Sequence, residues 1–181
     1  LDSRYPVPQH ICEFTNELID EGKLKFDKSQ NDDMVLTFHD SCNVARATRM
    51  GDKPGGQFEI PRAVIKAVCN NYFDMDEETI RERTFCCGGG GGLLTDDLME
   101  IRVKGAKPRV EALNNVMQEK GVTHLAAICA ICKSQFSKVL PFYGMEMDQV
   151  VSVHQLVSNA IVLTGQETED EDEDEEAGET A

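Results

Sequence analysis

Two adjacent cysteines followed by five glycines are the most unusual feature of this 181-residue sequence. The stretch "FCCGGGGGLL", residues 85–94, places Cys86 directly before Cys87. Because neighbouring side chains in a strand point to opposite faces, two thiols that act together need an irregular backbone, which glycine permits. A vicinal disulfide, a metal site and a redox-active dithiol are the three kinds of chemistry that fit such a pair.

Three further cysteines complete an array around this pair. Cys42 precedes the pair by 43 intervening residues, and Cys129-x-x-Cys132 follows it after 41. A lone C-x-x-C suits zinc, iron–sulfur clusters and thioredoxin-type dithiols alike. A structural zinc and a cubane cluster each take four thiolates, so five candidates are one more than either needs. A thioredoxin-type dithiol leaves Cys42 and the vicinal pair unexplained.

The pattern of apolar residues indicates which elements position the array. Residues 34–38 (MVLTF) and 124–128 (HLAAI) are typical of buried strands, and they precede Cys42 and Cys129. Ligands of open α/β sheets collect beyond the carboxyl ends of the strands. We therefore expect the loops of Cys42 and Cys129 and the glycine loop to converge at one sheet edge. Cys132 is predicted to lie in the first turn of the next helix.

Helical patterns alternate with these strands. One helix is predicted over "ICEFTNELIDEG", with Gly22 as its C-cap, and a second opens at Pro61. Further helices are predicted from about Ile131 and over "HQLVSNAIVL", which follows the strand "QVVSV". Strands separated by helices predict an α/β fold, a layered domain with a mainly parallel sheet flanked by helices.

The helix after the glycine loop contains two residues that disfavour helices. It is predicted to begin near Asp96, with Asp97 and Glu100 spaced as in a capping box. We expect Gly105 and Pro108 to break this helix before a second segment over residues 110–119.

Composition and charge divide the chain into two parts. Residues 167–181 contain ten acidic residues and no basic ones, which accounts for most of the net charge of −15. We expect a folded domain over residues 1–163, the C-terminal fragment of a longer protein, and a disordered acidic tail over residues 164–181. No basic stripe with interleaved aromatics suggests nucleic-acid binding, and no apolar stretch approaches the roughly 20 residues of a membrane span. An odd number of cysteines, seven, favours metal or catalytic use in a reducing compartment.

Three motifs together resemble a known family. "TFHDSCNVAR", "TFCCGGGG" and "AAICAIC" resemble the cysteine-rich CCG domain of the B-type subunits of heterodisulfide reductase and their relatives. "HDSCNVARATRMGDKPGGQFEIPR" and "CCGGGGGLLTDDLMEIRVKGAKPR" resemble the branch that contains DsrK, a component of the membrane complex associated with dissimilatory sulfite reductase. The resemblance covers about residues 5–163 and implies a non-cubane 4Fe–4S cluster on the cysteines at the motif positions, namely Cys42, Cys86, Cys87, Cys129 and Cys132.

The resemblance also implies an activity and partners. It implies a heterodisulfide reductase-like oxidoreductase that reduces or oxidises a disulfide or trisulfide on a small sulfur-carrier protein with C-terminal cysteines, DsrC. Electrons would be exchanged with the quinone pool through a membrane quinone-interacting subunit. The implied location is cytoplasmic, peripheral to the inner face of the cell membrane. An electron-transfer subunit of a quinone-linked lactate, glycolate or glycerol 3-phosphate dehydrogenase and a zinc-stabilised binding module remain alternatives.

The sequence departs from the family pattern in three respects. Both intervals between the motifs are longer than usual, Ser41 replaces the proline before Cys42, and Ala130 replaces the proline after Cys129. Ferredoxin-type C-x₂-C-x₂-C runs are also absent from this sequence. The three departures concern the shapes of the loops more than the set of ligands, whereas the absent runs imply a catalytic part without its electron supply.

Residues around the array have expected supporting roles. Backbone N–H groups of Gly88 and Gly89 are predicted to donate hydrogen bonds to the cysteine sulfurs. His39 is a candidate hydrogen-bond donor or proton source, and Asp40 a candidate cap of the loop backbone. Four basic residues are solvated or form a docking rim for an anionic partner: Arg46, Arg49, Lys53 and Lys133.

The other cysteines and histidines are predicted to be structural. Cys12 and Cys69 are expected to fill the core. His10 and His154 each open a helical pattern and are expected to cap it or pack in the core. His124 begins a predicted strand and has no evident partner in the sequence.

Overall fold

A computed structural model describes residues 8–50 and 53–163. The side chains of residues 50, 53 and 54 are not described, and the predicted acidic tail lies outside the described residues. Three parallel strands form the central sheet: β2 (Leu36–His39), β5 (His124–Ala127) and β6 (Val150–Ser152). Their order is β2-β5-β6, and β2 pairs with β5 so that His39 lies opposite Ala127. The predicted mainly parallel sheet is confirmed.

Five α-helices in the described residues cover the sheet on both faces. They are α1 (Ile11–Asp20), α2 (Glu59–Val68), α3 (Met99–Lys120), α4 (Ala130–Val139) and α5 (Val153–Ala160). Helices α1, α2 and α5 pack around one buried cluster, whereas α3 and α4 contribute to another. The predicted α/β layered architecture is therefore present.

Alternation along the strands assigns side chains to the two clusters. Leu36 and Phe38 of β2 belong to the cluster under α2 and α5, and Ala126 of β5 joins them. Leu125 belongs to the cluster under α3 and α4. His39 contacts Phe136 of α4, with ring centroids 4.8 Å apart, which places the imidazole on the α3–α4 side. The period-two pattern of the strand thus directs His39 away from the cluster that contains Phe38.

Two short antiparallel pairs complete the sheet structure. Strand β1 (Lys25–Phe26) pairs with β7 (Ile161–Val162), and β3 (Arg49–Met50) pairs with β4 (Lys53–Pro54). The predicted final helix over "HQLVSNAIVL" was therefore too long, because its last apolar residues pair with β1 instead. Within residues 8–50 and 53–163, no helix combines the length and the apolar character that crossing a membrane requires.

The expected break in the helix after the glycine loop was wrong. Helix α3 runs without interruption from Met99 to Lys120. Pro108 lacks the N–H that would bond the Lys104 carbonyl, but both residues are exposed, so water can satisfy that oxygen. Gly105 packs against Gly88 of the glycine loop. The predicted capping box is also absent, since Leu98 caps the helix without a side-chain hydrogen bond and Asp97 lies in a preceding 3₁₀ turn.

Candidate metal centre

The loop that carries Cys42 leaves the sheet at the end of β2. A π-helical turn, Cys42–Arg46, begins two residues after Asp40. Ser41 caps this turn, because its Oγ accepts hydrogen bonds from the N–H groups of Asn43 and Val44, each at 3.3 Å. A hydroxyl thus shapes the loop at the position where the family pattern has proline.

Cys129 and Cys132 occupy the start of α4, just beyond β5. Cys129 is the N-cap residue, and Cys132 lies in the first turn, as predicted. Both side chains are buried. Because β2 and β5 are parallel neighbours in register, the loops of Cys42 and Cys129 emerge at the same sheet edge. The first two of the three predicted loops therefore converge.

The glycine loop lies directly on the backbone of α3. Gly88 has φ +83°, and a Cβ added there would lie 2.7 Å from the Ala106 nitrogen and 2.8 Å from the Arg102 carbonyl oxygen. A Cβ on Gly89 would meet the Gln135 side chain of α4 at 2.9 Å. Only glycine allows the loop to approach α3 so closely. This contact brings Cys86 and Cys87 to the sheet edge at which the loops of Cys42 and Cys129 emerge.

Four thiols form a continuous series of interacting groups at this edge. The Cys86 thiol lies close enough to those of Cys42 and Cys87 to interact electrostatically with both, and Cys87 interacts in the same way with Cys132. The sulfurs of Cys87 and Cys132 and a ring nitrogen of His39 lie within 4.8 Å of one another. The structure thus brings together residues from β2, the glycine loop and α4.

The fifth candidate and the neighbouring hydroxyl complete the description of the thiols. Cys129 is buried in the same apolar cluster as Cys87 and Cys132, although it is not part of the group that lies within 4.8 Å. Cys132 Sγ lies 3.8 Å from Ser41 Oγ, which links the C-x-x-C turn to the Cys42 loop.

The two thiols of the vicinal pair differ in exposure. Cys86 is exposed and Cys87 is buried, yet their thiols interact with each other and neither is in a disulfide. The Gly88 N–H donates to Cys86 Sγ at 3.3 Å, which is the backbone contact to sulfur predicted for this glycine.

Crowding and burial raise the pKa values of Cys42, Cys86 and Cys87 when no metal is bound. Hydrogen bonding to Cys132 raises the pKa of Cys87 to about 12, and hydrogen bonding to Cys87, with burial, raises the pKa of Cys86. Burial and repulsion from Cys86 raise the pKa of Cys42. Catalytic dithiols of the thioredoxin type depend on a thiol with a lowered pKa. Cys86 and Cys87 have raised pKa values instead, so they are not arranged as a free nucleophilic dithiol.

His39 is fully buried beside these thiols and lacks a hydrogen-bond partner at either ring nitrogen within the described part of the chain. Burial, followed by the positive charge of Arg109, lowers the pKa of His39 well below its ordinary value. The imidazole is therefore neutral at physiological pH, with one N–H donor and one lone pair left without protein partners. Such unpaired buried polar atoms are uncommon and point to a group that binds beside them.

Asp40 supports the loops, as predicted, but through a larger network. Its Oδ2 accepts a hydrogen bond from the Arg81 backbone N–H at 2.8 Å. Arg62 binds both carboxylate oxygens, at 2.6 and 2.7 Å, and the sequence patterns did not predict this partner. The Asp40 carbonyl oxygen also accepts a hydrogen bond from Thr84, two residues before Cys86. Asp40 therefore joins β2, α2 and the segment leading to the glycine loop.

The remaining cysteines and histidines have structural contacts. Cys12 and Cys69 are buried in the cluster on the opposite face of the sheet from Cys87 and Cys132. His10 caps α1 in a capping box with Glu13, as predicted. His154 lies in the first turn of α5, where it contacts Thr15, and His124 contacts Thr123.

Of the predicted basic rim, Arg46 and Arg49 are not buried, and Lys133 is half-buried. Arg46 donates to the Thr84 carbonyl at 3.2 Å, close to the cysteine pair. The side chain of Lys53 lies outside the described residues.

Sequence reasoning missed three fully buried arginines, Arg62, Arg102 and Arg109. Arg102 and Arg109 are two turns apart on α3, on the same face as the buried residues Ala106 and Leu113. In the sequence, Arg102 and Arg109 stand at helical spacing with the apolar residues Ala106 and Leu113. This pattern was the signal that could have identified the two arginines as buried.

Comparisons with known proteins agree with this arrangement. The profile of a cysteine-rich domain, CCG, matches residues 36–137. The chain is 42% identical over 163 residues to the Hdr-like menaquinol oxidoreductase iron-sulfur subunit 2 of Archaeoglobus fulgidus, covering 89% of this chain and 28% of that protein. It is 41% identical over 163 residues to the Hdr-like menaquinol oxidoreductase iron-sulfur subunit of Archaeoglobus profundus, covering the same shares of the two chains.

A more distant relative has a related name. The chain is 28% identical over 155 residues to the D-type subunit of the dihydromethanophenazine:CoB–CoM heterodisulfide reductase of Methanosarcina mazei, covering 85% of this chain and 34% of that protein. The chain thus spans about a third or less of the length of these relatives. No solved structure gives a significant match.

Proposed function

Because this chain belongs to the cysteine-rich CCG domain family, we propose that Cys42, Cys86, Cys87, Cys129 and Cys132 hold a non-cubane 4Fe–4S cluster. The observation that carries the proposal is the continuous series of interacting thiols from Cys42 to Cys132 at one sheet edge. The position of Cys129 at the N-cap of α4 supports its inclusion as the fifth ligand.

The residues present fit such a group in chemistry and charge. Thiolates are the ligands that iron–sulfur clusters require, and so many of them in one place need cations between them to offset their repulsion. The unpaired nitrogens of His39 provide a further polar contact beside the sulfurs. When bound, a cluster of this kind exchanges single electrons with a sulfur substrate.

The activity that we propose is a disulfide or trisulfide oxidoreduction in dissimilatory sulfur metabolism, on a small DsrC-like sulfur-carrier protein. Reduction of a disulfide consumes two electrons and two protons and yields two thiols, and oxidation of one quinol supplies both. The names of the relatives, a menaquinol oxidoreductase and a heterodisulfide reductase, support the quinone link and the sulfur substrate. The full protein would act within a membrane-associated complex, on the cytoplasmic side, through a quinone-interacting subunit.

His39 is proposed to hold a proton at a ring nitrogen beside the sulfurs. Because the ring is neutral and buried, it can donate one N–H to a sulfur without adding a charge to the site. Its edge-on contact with Phe136 restricts the orientation of the ring. The imidazole is therefore a fixed donor next to Cys87 and Cys132.

Substrate access is proposed on the side of the exposed thiol Cys86. Arg46 lies close to Cys42 and the cysteine pair, and Lys133 follows Cys132 in sequence. Positive charge near an open thiol suits the carboxylate-bearing C-terminal arm of a carrier protein.

A zinc-stabilised binding module is the second candidate, and one observation favours it. His39, Cys87 and Cys132 lie within 4.8 Å of one another, and mixed histidine and cysteine ligands are typical of zinc. This group leaves Cys42 and Cys86 without a role.

Metal analysis after anaerobic reconstitution separates these candidates. We expect about four iron and four sulfide per chain, and no stoichiometric zinc. Zinc without sulfide would favour the binding module and contradict the cluster.

Alanine variants of single cysteines test the ligand set. Loss of any one of the five motif cysteines is expected to lower the iron and sulfide content by at least half. His39→Leu is expected to change the spectrum of the cluster and retain most of the metal. Cys12→Ala and Cys69→Ala are matched controls, because both thiols are buried on the opposite face of the sheet. Full retention after the loss of Cys86 or Cys87 would contradict five-fold ligation.

The partner is tested separately with the loaded protein. A trisulfide-bearing carrier protein is expected to bind in a pull-down and to be reduced when electrons are supplied. Absence of binding to a protein that holds its full iron and sulfide would defeat the carrier assignment and leave the cluster assignment standing.

A further inference from the structure

Arg109 is a fully buried cation with no acidic partner in the described part of the chain. Its relative exposure is 0%, and none of the carboxylate ion pairs among residues 8–50 and 53–163 includes it. The other two buried arginines each have a carboxylate, because Arg62 binds Asp40 and Arg102 lies 3.7 Å from Asp96. A buried charge without a counter-charge is strongly unfavourable, so Arg109 requires an explanation.

The hydrogen bonds of Arg109 are made to neutral groups. One Nη donates to Met75 Sδ at 2.9 Å, and the other donates to Thr84 Oγ1 at 2.8 Å and to the Thr79 carbonyl oxygen. Nε has no partner within the described residues. These contacts hold the guanidinium in place without neutralising its charge.

The carboxylate that attracts Arg109, that of Asp40, is already engaged elsewhere. Asp40 attracts Arg109 at longer range, but both of its oxygens are bound by Arg62 and one also accepts the Arg81 N–H. Arg62 in turn repels Arg109. Protein groups therefore leave the Arg109 charge largely uncompensated.

The thiol array is the remaining neighbour that can become negative. Arg109 donates to Thr84, two residues before Cys86, and it interacts electrostatically with Cys132 and His39. Its guanidinium also lies 5.8 Å from the ring centroid of Phe85, the residue before the cysteine pair. Burial lowers the pKa of Arg109 to about 10, which leaves it charged at physiological pH.

We infer that Arg109 is the buried counter-cation of the metal-bound cysteine thiolates, a positioning residue that raises the reduction potential of the bound group. This inference rests on the proposed iron–sulfur function. A positive charge held in a poorly solvated interior stabilises added negative charge more than one in water. Removing it should therefore make each reduction step less favourable.

Substitutions that separate charge from shape test this role. Arg109→Met removes the charge and keeps much of the length of the side chain, whereas Arg109→Lys keeps the charge. Arg83→Met is the matched control, because Arg83 lies three residues before Cys86 but is exposed and paired with Glu78, so water screens its charge. The readouts are iron and sulfide content and the midpoint potential from an electron paramagnetic resonance titration.

In Arg109→Met we expect the equilibrium constant for reduction to fall at least about tenfold. For a one-electron couple this lowers the midpoint potential by about 59 mV. The reduction equilibrium constant of Arg109→Lys should stay within about threefold of the wild-type value, and that of Arg83→Met should change little. If Arg109→Met does not fold, Arg109→Gln takes its place, and loss of the metal in Arg109→Gln with retention in Arg109→Lys supports the inference.

Three outcomes overturn it. They are an unchanged potential in loaded Arg109→Met, an equal shift in Arg109→Lys and Arg109→Met, and loss of metal in Arg109→Lys as well as in Arg109→Gln. A wild-type protein that takes up no iron and sulfide would instead refute the proposed function, so the two failures are distinguishable.

Discussion

At the scale of single residues, the Asp40–Arg62 pair holds the cysteine loops together. Both side chains are buried, and the pair is joined by two charge-assisted hydrogen bonds. Asp40 also accepts the Arg81 N–H, and its carbonyl accepts from Thr84 near the cysteine pair. Breaking one partner of such a pair leaves a buried charge uncompensated, which costs more than the intact pair contributes.

Asp40→Asn is expected to lower the free energy of unfolding by about 3–5 kcal/mol. The asparagine side chain cannot accept at both positions and leaves Arg62 with the partly exposed Asp74 as its carboxylate partner. Urea unfolding of the anaerobically reduced, metal-free protein measures the effect. Glu59→Gln, which breaks the solvent-exposed pair with Arg81, is the control and should cost about 0–1 kcal/mol. Equal costs for the two variants would show that the buried pair is not a main support.

At the scale of elements, the close contact of the glycine loop with α3 sets the position of the cysteine pair. Gly88 has a positive φ, and its Cα approaches the backbone of residues 102–106. Gly89 leaves room for Gln135, which also hydrogen-bonds Arg102. The loop therefore depends on an unbroken α3, which passes beneath it at Gly105.

Gly88→Ala is expected to destabilise the protein by about 2–4 kcal/mol and to lower its metal content, because the new Cβ meets backbone atoms that cannot move aside. Gly90→Ala is the control within the loop, since nothing lies within 4 Å of its Cβ position. Gly105→Ala should stabilise α3 by about 0.5–1 kcal/mol, because its Cβ has only an ordinary contact at 3.5 Å. Chemical denaturation and iron analysis report both effects. Equal metal contents in the Gly88 and Gly90 variants would disprove the proposed role of this contact.

At the scale of the whole molecule, the candidate site joins segments that are distant in sequence. Cys42, the cysteine pair and the C-x-x-C turn come from loops separated by 43 and 41 residues and meet only in the folded sheet. A ligand that binds the folded chain and not the unfolded chain stabilises the former by mass action. Metal loading should therefore stabilise the domain as a whole.

The reconstituted protein is expected to unfold at a temperature about 5–10 °C above that of the metal-free protein. This corresponds to about 2.7 kcal/mol, the stabilisation at a ligand concentration one hundred times the Kd. Anaerobic calorimetry of both forms is the measurement. The difference in unfolding temperature between the two forms should persist in Cys69→Ala and disappear in Cys132→Ala. If the fully loaded protein unfolded at the same temperature as the metal-free protein, metal binding would not depend on the folded sheet edge at which the cysteine loops meet.

Prediction from sequence succeeded where local patterns and the general rules of α/β sheets were sufficient. Apolar runs before Cys42 and Cys129, with helices between them, predicted parallel strands whose carboxyl ends bring two cysteine loops together. The predictions for β7 and α3 failed because distant partners outweighed local preference. Ile161 and Val162 pair with β1, and Gly105 accommodates Gly88 from another part of the chain.

The sequence by itself determined the array of cysteines, the α/β architecture and the sheet edge at which the cysteine loops collect, because residue types and the order of strands and helices are properties of the chain itself. Tertiary structure alone decided that, among the described residues, His39 keeps both nitrogens unpaired beside Cys87 and Cys132, and that Arg109 is buried without a carboxylate. Both properties depend on which groups from other elements fill the surrounding space. Burial and the absence of a partner arise only when the elements pack, so no spacing of residues reveals them.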